Sequence, residues 1–321
     1  MRILNADDVR AAVDMRAAID AVRAGFIALS TGQARVPVRT ALETPGGVLL
    51  TMPAQIGASP VSAVKIVSVC TGNPARGLPT IHAAVLVTDA HTGAPLALLE
   101  GGVLTAIRTG AASGLATDLL AVPDASILAV IGAGVQARTQ VEAVCAVRPI
   151  TEIRIFSLSG AEALADELRA RYDARVTAAP SARAALDGAQ VIVAATNSPA
   201  PVVHRDALTP GAHINGIGSF TPQMQEIAAE VVLAARVVVD HRASAWAEAG
   251  DLIIPRDQGL ITEAHVYAEI GEIAAGLKRG RHDPHEITFF KSVGNAVQDA
   301  AVAQAVLDAA QKRHLGTEVA L

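Results

Sequence analysis

The stretch ASILAVIGAGVQARTQVEAV, residues 125–144, decides the fold. An apolar run leads into Gly132 and Gly134, and a helix pattern follows from Ala137. Gly132 permits a tight turn, Gly134 removes a side chain that would keep a pyrophosphate from the backbone, and Ala137 lets the helix pack closely on its strand. We therefore predict a dinucleotide-binding loop, with Gly132, Gly134, Val135, Gln136 and Ala137 at the coenzyme.

Strand and helix patterns alternate on the C-terminal side of this loop. The segments in order are EIRIFS (152–157), AEALADELRARY (161–172), RVTAA (175–179), SARAALDG (181–188) and VIVAAT (191–196). Such alternation specifies a parallel sheet with helices on both faces. The sequence therefore predicts the α/β class, with a Rossmann-type doubly wound parallel sheet.

The two ends of the chain have a different pattern. Residues 7–32 predict one amphipathic helix that ends at Gly32, and short β-prone runs follow at 47–54, 61–69 and 81–89. Residues 299–314, DAAVAQAVLDAAQKRH, predict a helix whose apolar face should pack on the N-terminal domain. A second domain of the α+β type is expected from these segments.

Composition excludes several classes of function. The formal charge of -5 gives no reason to expect nucleic acid as a partner, and no apolar segment is long and uncharged enough to span a membrane. The first residues lack the apolar stretch of a signal peptide, so we expect a cytoplasmic protein. Cys70 and Cys145 lie far apart without metal-ligand spacing, so neither is assigned a role and no metal site is predicted.

The choice between NADH and NADPH depends on the end of the strand that follows the glycine loop. Ser157 occupies the position at which an NAD-specific site offers Asp or Glu to the adenosine ribose. The carboxylate that would repel a 2′-phosphate is therefore missing, although no arginine follows to bind one. The sequence favours NADPH, with NADH tolerated.

Five segments together resemble the ornithine cyclodeaminase/μ-crystallin family. They are residues 64–116, VIGAGVQARTQVEAV (130–144), HINGIGS (213–219), AGDL (249–252) and FKSVGNAVQDAA (290–301). The resemblance implies a homodimer and a substrate-binding and dimerisation domain from residues 1–118 and 297–321. Residues 119–296 would form the Rossmann domain. It also implies chemistry at the carbon–nitrogen bond of an amino acid, through an imine and a nicotinamide.

The resemblance also implies a substrate site. Arg39, Lys65 and Arg108 match its cationic positions, and such charges would hold the carboxylate of a cyclic imino acid. We assign Lys65 and Arg108 a catalytic role as well. Lys65 stands in an apolar β-pattern, where a charge must be paired or face a cleft. His82 and Asn73 fall in the same part of the resemblance and are predicted to bind substrate.

Further positions are predicted on the coenzyme side. Thr196, Ser219, Val293 and Gly294 are expected near the dinucleotide, and Ser219 with Thr221 could orient water or the nicotinamide amide. Hydroxyl-rich segments of this kind are also common in turns.

Two acidic positions of the motifs have alternative interpretations. Asp299 matches a position near the nicotinamide, but it could equally cap the helix that follows. Gly250 and Asp251 are typical of the family, and a structural turn is the simpler interpretation.

Phe220 bears most directly on the reaction. The cyclodeaminases that this segment resembles have an aspartate there, whose carboxylate moves the amine protons, and phenylalanine cannot exchange protons. The form GSFTPQM resembles the branch that reduces Δ1-pyrroline-2-carboxylate. The resemblance thus implies NAD(P)H-dependent reduction of this ketimine to L-proline, and of the six-membered Δ1-piperideine-2-carboxylate as a further substrate.

Two alternatives remain open from the sequence. One is an ornithine cyclodeaminase or an alanine dehydrogenase, and the other is a non-catalytic dinucleotide-binding protein of the crystallin kind. Retention of Arg39, Lys65 and Arg108 argues against the second alternative.

Overall fold

The computed structural model describes residues 1–320, which form two compact units. The first combines Met1–Arg108 with the C-terminal segment from Asn295, and the second is Thr109–Gly294. The sequence placed the corresponding boundaries after residues 118 and 296. The first division in the structure falls within a helix that continues to Leu120.

The elements follow one another in three blocks. The first block contains β1 (Arg2–Leu4), α1 (Ala6–Ala12), α2 (Met15–Ser30), β2 (Ala34–Arg35), β3 (Thr40–Thr44), β4 (Gly47–Ile56), β5 (Val61–Val69), β6 (Ile81–Asp89), β7 (Pro95–Glu100) and α3 (Gly101–Leu120). The second contains β8 (Ile127–Ile131), α4 (Val135–Val147), β9 (Glu152–Phe156), α5 (Ala161–Arg169), β10 (Arg175–Ala178), α6 (Ala182–Leu186), β11 (Val191–Ala194), β12 (His213–Gly216), α7 (Ala229–Ala234), β13 (Arg236–Val239), α8 (Arg242–Glu248), α9 (Gly250–Asp257), β14 (Val266–Glu269), α10 (Ile270–Ala274) and β15 (Thr288–Lys291). The third contains α11 (Ala296–Arg313) and β16 (Thr317–Glu318).

The second unit is built on a parallel sheet of eight strands in the order β10-β9-β8-β11-β12-β15-β13-β14. Strands β11 and β12 are buried along their whole length, as expected where helices cover both faces. The strand order reverses direction between β8 and β11, and ligands of such sheets bind at the carboxyl ends of the strands beside that switch point. The predicted Rossmann-type sheet is confirmed.

The first unit contains a mostly antiparallel sheet in the order β16-β1-β7-β6-β5-β4-β2, with β3 paired to β4. Alternate residues of β5 are buried beginning at Val61, which is the pattern of a sheet with one covered face. Helix α11 packs on α2, β4 and β5. A Cβ on Gly25 of α2 would lie 3.1 Å from Cβ of Ala301, so the two helices are close together.

The single N-terminal helix predicted for residues 7–32 is wrong, because the structure has two helices there. Val13 is extended, and the Asp14 carboxylate then caps α2 by accepting from the Ala17 amide at 2.8 Å. Aspartate competes well for backbone N–H groups at such starts. The helix after the glycine loop begins at Val135, earlier than the predicted Ala137. No helix among residues 1–320 is both long and apolar enough to cross a membrane.

Candidate active site and coenzyme site

Lys65 lies on the covered face of the sheet in the first unit. It pairs with Met52 of β4 and Val85 of β6, both of which are buried. Only 2% of its surface is exposed. A buried ammonium needs a compensating charge, and the structure supplies one from a distant part of the chain.

That charge is Asp299, in the first turn of α11. The Lys65 Nζ lies 2.9 Å from Oδ1 and 2.8 Å from Oδ2 of Asp299. The Nε of Arg108 lies 3.0 Å from Oδ1 of the same carboxylate, and Arg108 also donates to Oε1 of Gln298. Helix α11 is capped by Asn295, so the interpretation of Asp299 as the cap is wrong.

The cation cluster, which we define as Lys65, Arg108 and Asp299, has two positive charges and one negative charge. Burial and the charge of Arg108 lower the pKa of Lys65 from 10.5 to about 8, while Asp299 opposes the shift. The charge of Arg39 also lowers the pKa of Lys65. The cluster therefore retains a buried excess of positive charge that an anionic ligand would neutralise.

Neither His82 nor Asn73 takes part in the cation cluster. His82 is three residues from Val85, the partner of Lys65, and alternation along β6 puts its exposed side chain on the opposite face of the sheet. Asn73 lies in the connection between β5 and β6, and its amide donates to the carbonyl of Pro79 at 2.8 Å. The arrangement does not favour substrate binding by either residue, and both assignments stay predictions.

The glycine loop fits a dinucleotide. A Cβ on Gly132 would lie 2.4 Å from the carbonyl oxygen of Ala195, and its φ of 112° favours glycine. A Cβ on Gly134 would meet nothing within 4 Å, so a side chain there would extend into open space. Gly134 is also the N-cap of α4 and offers no side-chain acceptor to the first amides, from Val135 to Ala137. Those amides can therefore bind pyrophosphate oxygens.

Side chains around the loop complete this end of the site. Val135 is 70% exposed, an unusual environment for an apolar residue at the start of a helix. Arg138, which sequence analysis did not select, donates to the carbonyl of Gly134 at 3.2 Å and to Glu167 at 2.8 Å. It therefore stabilises the shape of the loop. Ser157 directly follows β9, and no carboxylate accompanies it in the segment Ser157–Gly160.

The loops that follow β11 and β12 converge on one buried carboxylate, that of Glu226. It accepts from the amides of Thr196 at 2.6 Å, Gly218 at 2.6 Å and Ser219 at 2.8 Å. The Ser219 hydroxyl donates to the carbonyl of Met224 at 2.8 Å, and the residue is fully buried. Ser219 thus shapes its loop, which argues against the predicted contact of its hydroxyl with water or the nicotinamide amide.

The loop after β15 is held in the same manner. Asp240, at the end of β13, accepts from the hydroxyl of Ser292 and from the amides of Val293 and Gly294, at 2.8 to 3.0 Å. Gly294 has a φ of 86°, which favours glycine. The predicted coenzyme residues Thr196, Ser219, Val293 and Gly294 therefore all follow the carboxyl ends of parallel strands.

A second buried ion pair stands behind these loops. Lys291 Nζ lies 2.8 Å from Oδ2 of Asp251, and neither side chain is exposed. Oδ1 of Asp251 accepts from the amides of Glu226 and Ile227 at 2.7 and 2.9 Å. Asp251 is thus more than part of a turn. Sequence analysis missed Glu226, Asp240 and Lys291, although a lysine directly after the apolar run ITFF was a signal for a buried charge.

Phe220 lies in the loop between β12 and Glu226, and 39% of its surface is exposed. Thr221 accepts from the Gly250 amide through its carbonyl at 3.2 Å, so its backbone has a structural contact. The residues Phe220–Gln225 include no acidic or basic side chain. This part of the loop therefore has no side chain that could exchange protons during deamination.

The chain is similar to known proteins over almost its whole length. The model of the ornithine cyclodeaminase/mu-crystallin family matches residues 1–314. A Δ1-pyrroline-2-carboxylate reductase of Bacillus cereus is 37% identical over 324 residues, covering 99% of each chain.

Two solved structures are similar over almost the whole chain. The Thermococcus litoralis Δ1-pyrroline-2-carboxylate reductase in complex with NADH and L-proline has a TM-score of 0.96 and 40% identity, with 99% of this chain and 100% of that one covered. An archaeal alanine dehydrogenase dimer with bound NAD has a TM-score of 0.95 and 34% identity, with 100% and 99% covered. The chain described here belongs to the ornithine cyclodeaminase/mu-crystallin family.

Proposed function

We propose that the protein reduces Δ1-pyrroline-2-carboxylate to L-proline with NAD(P)H. One observation carries the proposal: two buried cations, Lys65 and Arg108, share the single carboxylate of Asp299. The carboxylate of an imino acid would neutralise the charge that is left over. The relatives named as Δ1-pyrroline-2-carboxylate reductases, and the solved one with NADH and L-proline, support this choice of substrate.

The residues of the cation cluster have distinct tasks in this reaction. Arg108 and Lys65 bind the substrate carboxylate, with Arg39 as a further cationic group, and fix the orientation of the ring. With its lowered pKa of about 8, Lys65 can also give a proton to the ring nitrogen at neutral pH. Bound NAD(P)H supplies the hydride for C2 of the imine.

The coenzyme would be held by the glycine loop and the strand ends of the second unit. Gly132, Gly134 and the first amides of α4 would bind the pyrophosphate, and the segment at Ser157 would lie at the adenosine ribose. Because Ser157 has no charge to repel a 2′-phosphate, we propose a preference for NADPH over NADH. Both coenzymes are therefore included in the test of the function.

The test measures coenzyme oxidation with three kinds of substrate. The protein is mixed with NADPH or NADH and with Δ1-pyrroline-2-carboxylate, Δ1-piperideine-2-carboxylate, or pyruvate plus ammonium. Oxidation with the cyclic imines alone supports a ketimine reductase. Oxidation only with pyruvate and ammonium would make the protein an alanine dehydrogenase, and no oxidation with any substrate would favour a binding protein without turnover.

Binding of a ligand carboxylate should weaken as the pH rises through about 8, because Lys65 then loses its proton. An ordinary lysine loses its charge near pH 10.5, whereas Lys65 loses it near pH 8. Affinity should therefore be highest below pH 8. The affinity for L-proline in the presence of NADH measures the effect, since neither group of proline titrates near that pH. NADH binding alone is the control and should change little. Proline affinity that stays constant across this range would contradict the role of Lys65.

We further propose a homodimer that forms through the sheet face opposite Lys65. The pairs Leu42–Leu49 and Thr51–Ile66 put Leu42 and Ile66 on that face. Their exposed fractions are 60% and 44%, and exposed apolar residues that share a face mark protein interfaces. The archaeal alanine dehydrogenase described as a dimer supports the assignment. The predicted cytoplasmic location stays a prediction.

Light scattering tests the dimer. The unmodified protein should have twice the mass of the chain, and Ile66→Asp should shift it toward monomer because a carboxylate would be buried in the interface. Gln311→Asp, at an exposed position of α11 outside that sheet face, is the control and should leave the mass unchanged. A monomeric unmodified protein at micromolar concentration would contradict the proposal.

A further inference from the structure

The carboxylate of Glu226 connects the loops that follow β11 and β12, in addition to the backbone hydrogen bonds that join them at the Ala194 carbonyl. Thr196 follows β11, whereas Gly218 and Ser219 follow β12, and the amides of all three donate to the two oxygens of Glu226. Burial raises the pKa of Glu226, but the charge of Lys291 and the Thr196 donor oppose the shift. Three short hydrogen bonds to one charged acceptor are stronger than bonds between neutral groups. Because Glu226 is fully buried, water cannot replace them.

Glu226 itself is fixed by the ion pair behind it. Its own amide donates to Oδ1 of Asp251 at 2.7 Å, and Oδ2 of Asp251 lies 2.8 Å from Nζ of Lys291. Lys291 is the last residue of β15. The ends of β11, β12 and β15 are thus connected through one buried network, which we define as Glu226, Asp251 and Lys291.

Close backbone packing shows that the network leaves the loops little freedom. A Cβ on Gly218 would lie 2.0 Å from the carbonyl oxygen of Thr196 and 2.6 Å from Oε1 of Glu226. A Cβ on Gly250 would lie 2.0 Å from the carbonyl oxygen of Met224. Any side chain at either glycine would force these segments apart, so their spacing is set by backbone contact.

The location of the network separates it from the adenosine end of the site. The glycine loop follows β8, and the ribose position follows β9, on one side of the switch point. Strands β11, β12 and β15 lie on the other side, where the second half of a dinucleotide would bind. None of the three network side chains is exposed, so they act on a ligand only through the loops that they hold.

We propose that Glu226, Asp251 and Lys291 are positioning residues that hold the loops at Thr196 and Gly218–Ser219 in the conformation that receives the nicotinamide half of the coenzyme. This inference rests on the dinucleotide site of the proposed function. The three residues would touch neither coenzyme nor substrate. Their loss should weaken binding of the nicotinamide half of the coenzyme and leave binding of the ADP-ribose half unchanged.

The variant Glu226→Gln tests this selectivity, because it keeps the side-chain shape but turns one acceptor oxygen into a donor that faces backbone N–H groups. We expect affinity for NADH to fall about tenfold, which corresponds to about one charge-assisted hydrogen bond. Affinity for ADP-ribose, which lacks the nicotinamide, should change less than about twofold because its contacts lie at β8 and β9. Titration of both ligands by calorimetry measures the two effects.

Hydrogen exchange of the ligand-free protein gives a readout that is independent of activity. The amides of Thr196, Gly218 and Ser219 should exchange faster in Glu226→Gln, whereas those of α4 should not. Glu230→Gln removes an exposed carboxylate of the same unit and is the matched control, expected to leave both ligand affinities unchanged. Asp251→Asn keeps Oδ1 as an acceptor but leaves the buried Lys291 ammonium without its carboxylate, so it should speed exchange of the same amides and also lower the melting temperature.

Four outcomes would overturn the inference. Equal losses of NADH and ADP-ribose affinity, or loss of neither, would show that the network has no selective effect on the nicotinamide half. If Glu226→Gln does not fold, unchanged affinities and exchange rates in Asp251→Asn would have the same meaning. Failure of the unmodified protein to bind NADH at all would instead overturn the proposed function, and this inference with it.

Discussion

Replacement of Lys65 by methionine is expected to lower kcat/KM for Δ1-pyrroline-2-carboxylate by about a hundredfold or more. Without Lys65, the buried substrate carboxylate would lose a cationic partner, and such a loss costs about 3 kcal/mol or more. Each 1.4 kcal/mol lowers kcat/KM by about a factor of ten. Methionine fills a similar volume, so the change is mainly one of charge. Steady-state kinetics with saturating coenzyme measures the effect.

The fold should survive this substitution, which separates it from simple destabilisation. Without Lys65, Arg108 and Asp299 still form a balanced ion pair, so no uncompensated charge is buried. The melting temperature should therefore change little, and NADH affinity should stay the same. Arg35→Met removes an exposed cation of the same unit and is the control. Full activity in Lys65→Met would remove the cation cluster from the mechanism.

Replacement of Gly134 by valine is expected to abolish measurable binding of NADH and NADPH. The added side chain would occupy the open space in front of the α4 amides, where the pyrophosphate is proposed to bind. The fold should remain intact, because the φ of Gly134 is -77° and a Cβ there meets no other atom within 4 Å. Fluorescence titration with each coenzyme measures the loss.

Two further glycines provide comparisons for this result. Gly72→Val adds the same side chain in the first unit at a position that is equally open, and it should leave coenzyme affinity unchanged. Gly132→Val should instead lower the melting temperature, because its Cβ would collide with the carbonyl of Ala195. Normal NADPH affinity in Gly134→Val would contradict the assignment of the loop.

Local patterns explain what could be predicted from the sequence. The order of β8, the glycine loop and α4 follows from an apolar run, two glycines and a helix pattern that are adjacent in the chain. The buried environment of Lys65 could also be predicted, because a lone charge in an apolar strand requires a partner. The family resemblance then supplied the positions of Arg39 and Arg108.

The partners of these residues depend on topology, which local patterns do not reveal. Asp299 is separated from Lys65 by 234 residues, and only the packing of α11 on the sheet brings them together. Glu226 looks like a surface residue in the polar segment TPQMQE, yet the loops after β11 and β12 bury it completely. The break at Asp14 was missed because the apolar spacing continues across it.

The product formed from two substrates tests the central claim most directly. Δ1-pyrroline-2-carboxylate already contains its ring nitrogen and needs a hydride and a proton, whereas ornithine must lose ammonia, which requires a base that Phe220 cannot provide. The unmodified protein is incubated with the cyclic imine and NADPH or NADH, and separately with ornithine and the oxidised coenzymes, and both proline and ammonia are measured. We predict proline from the imine and no ammonia from ornithine. Efficient formation of proline and ammonia from ornithine would contradict the account.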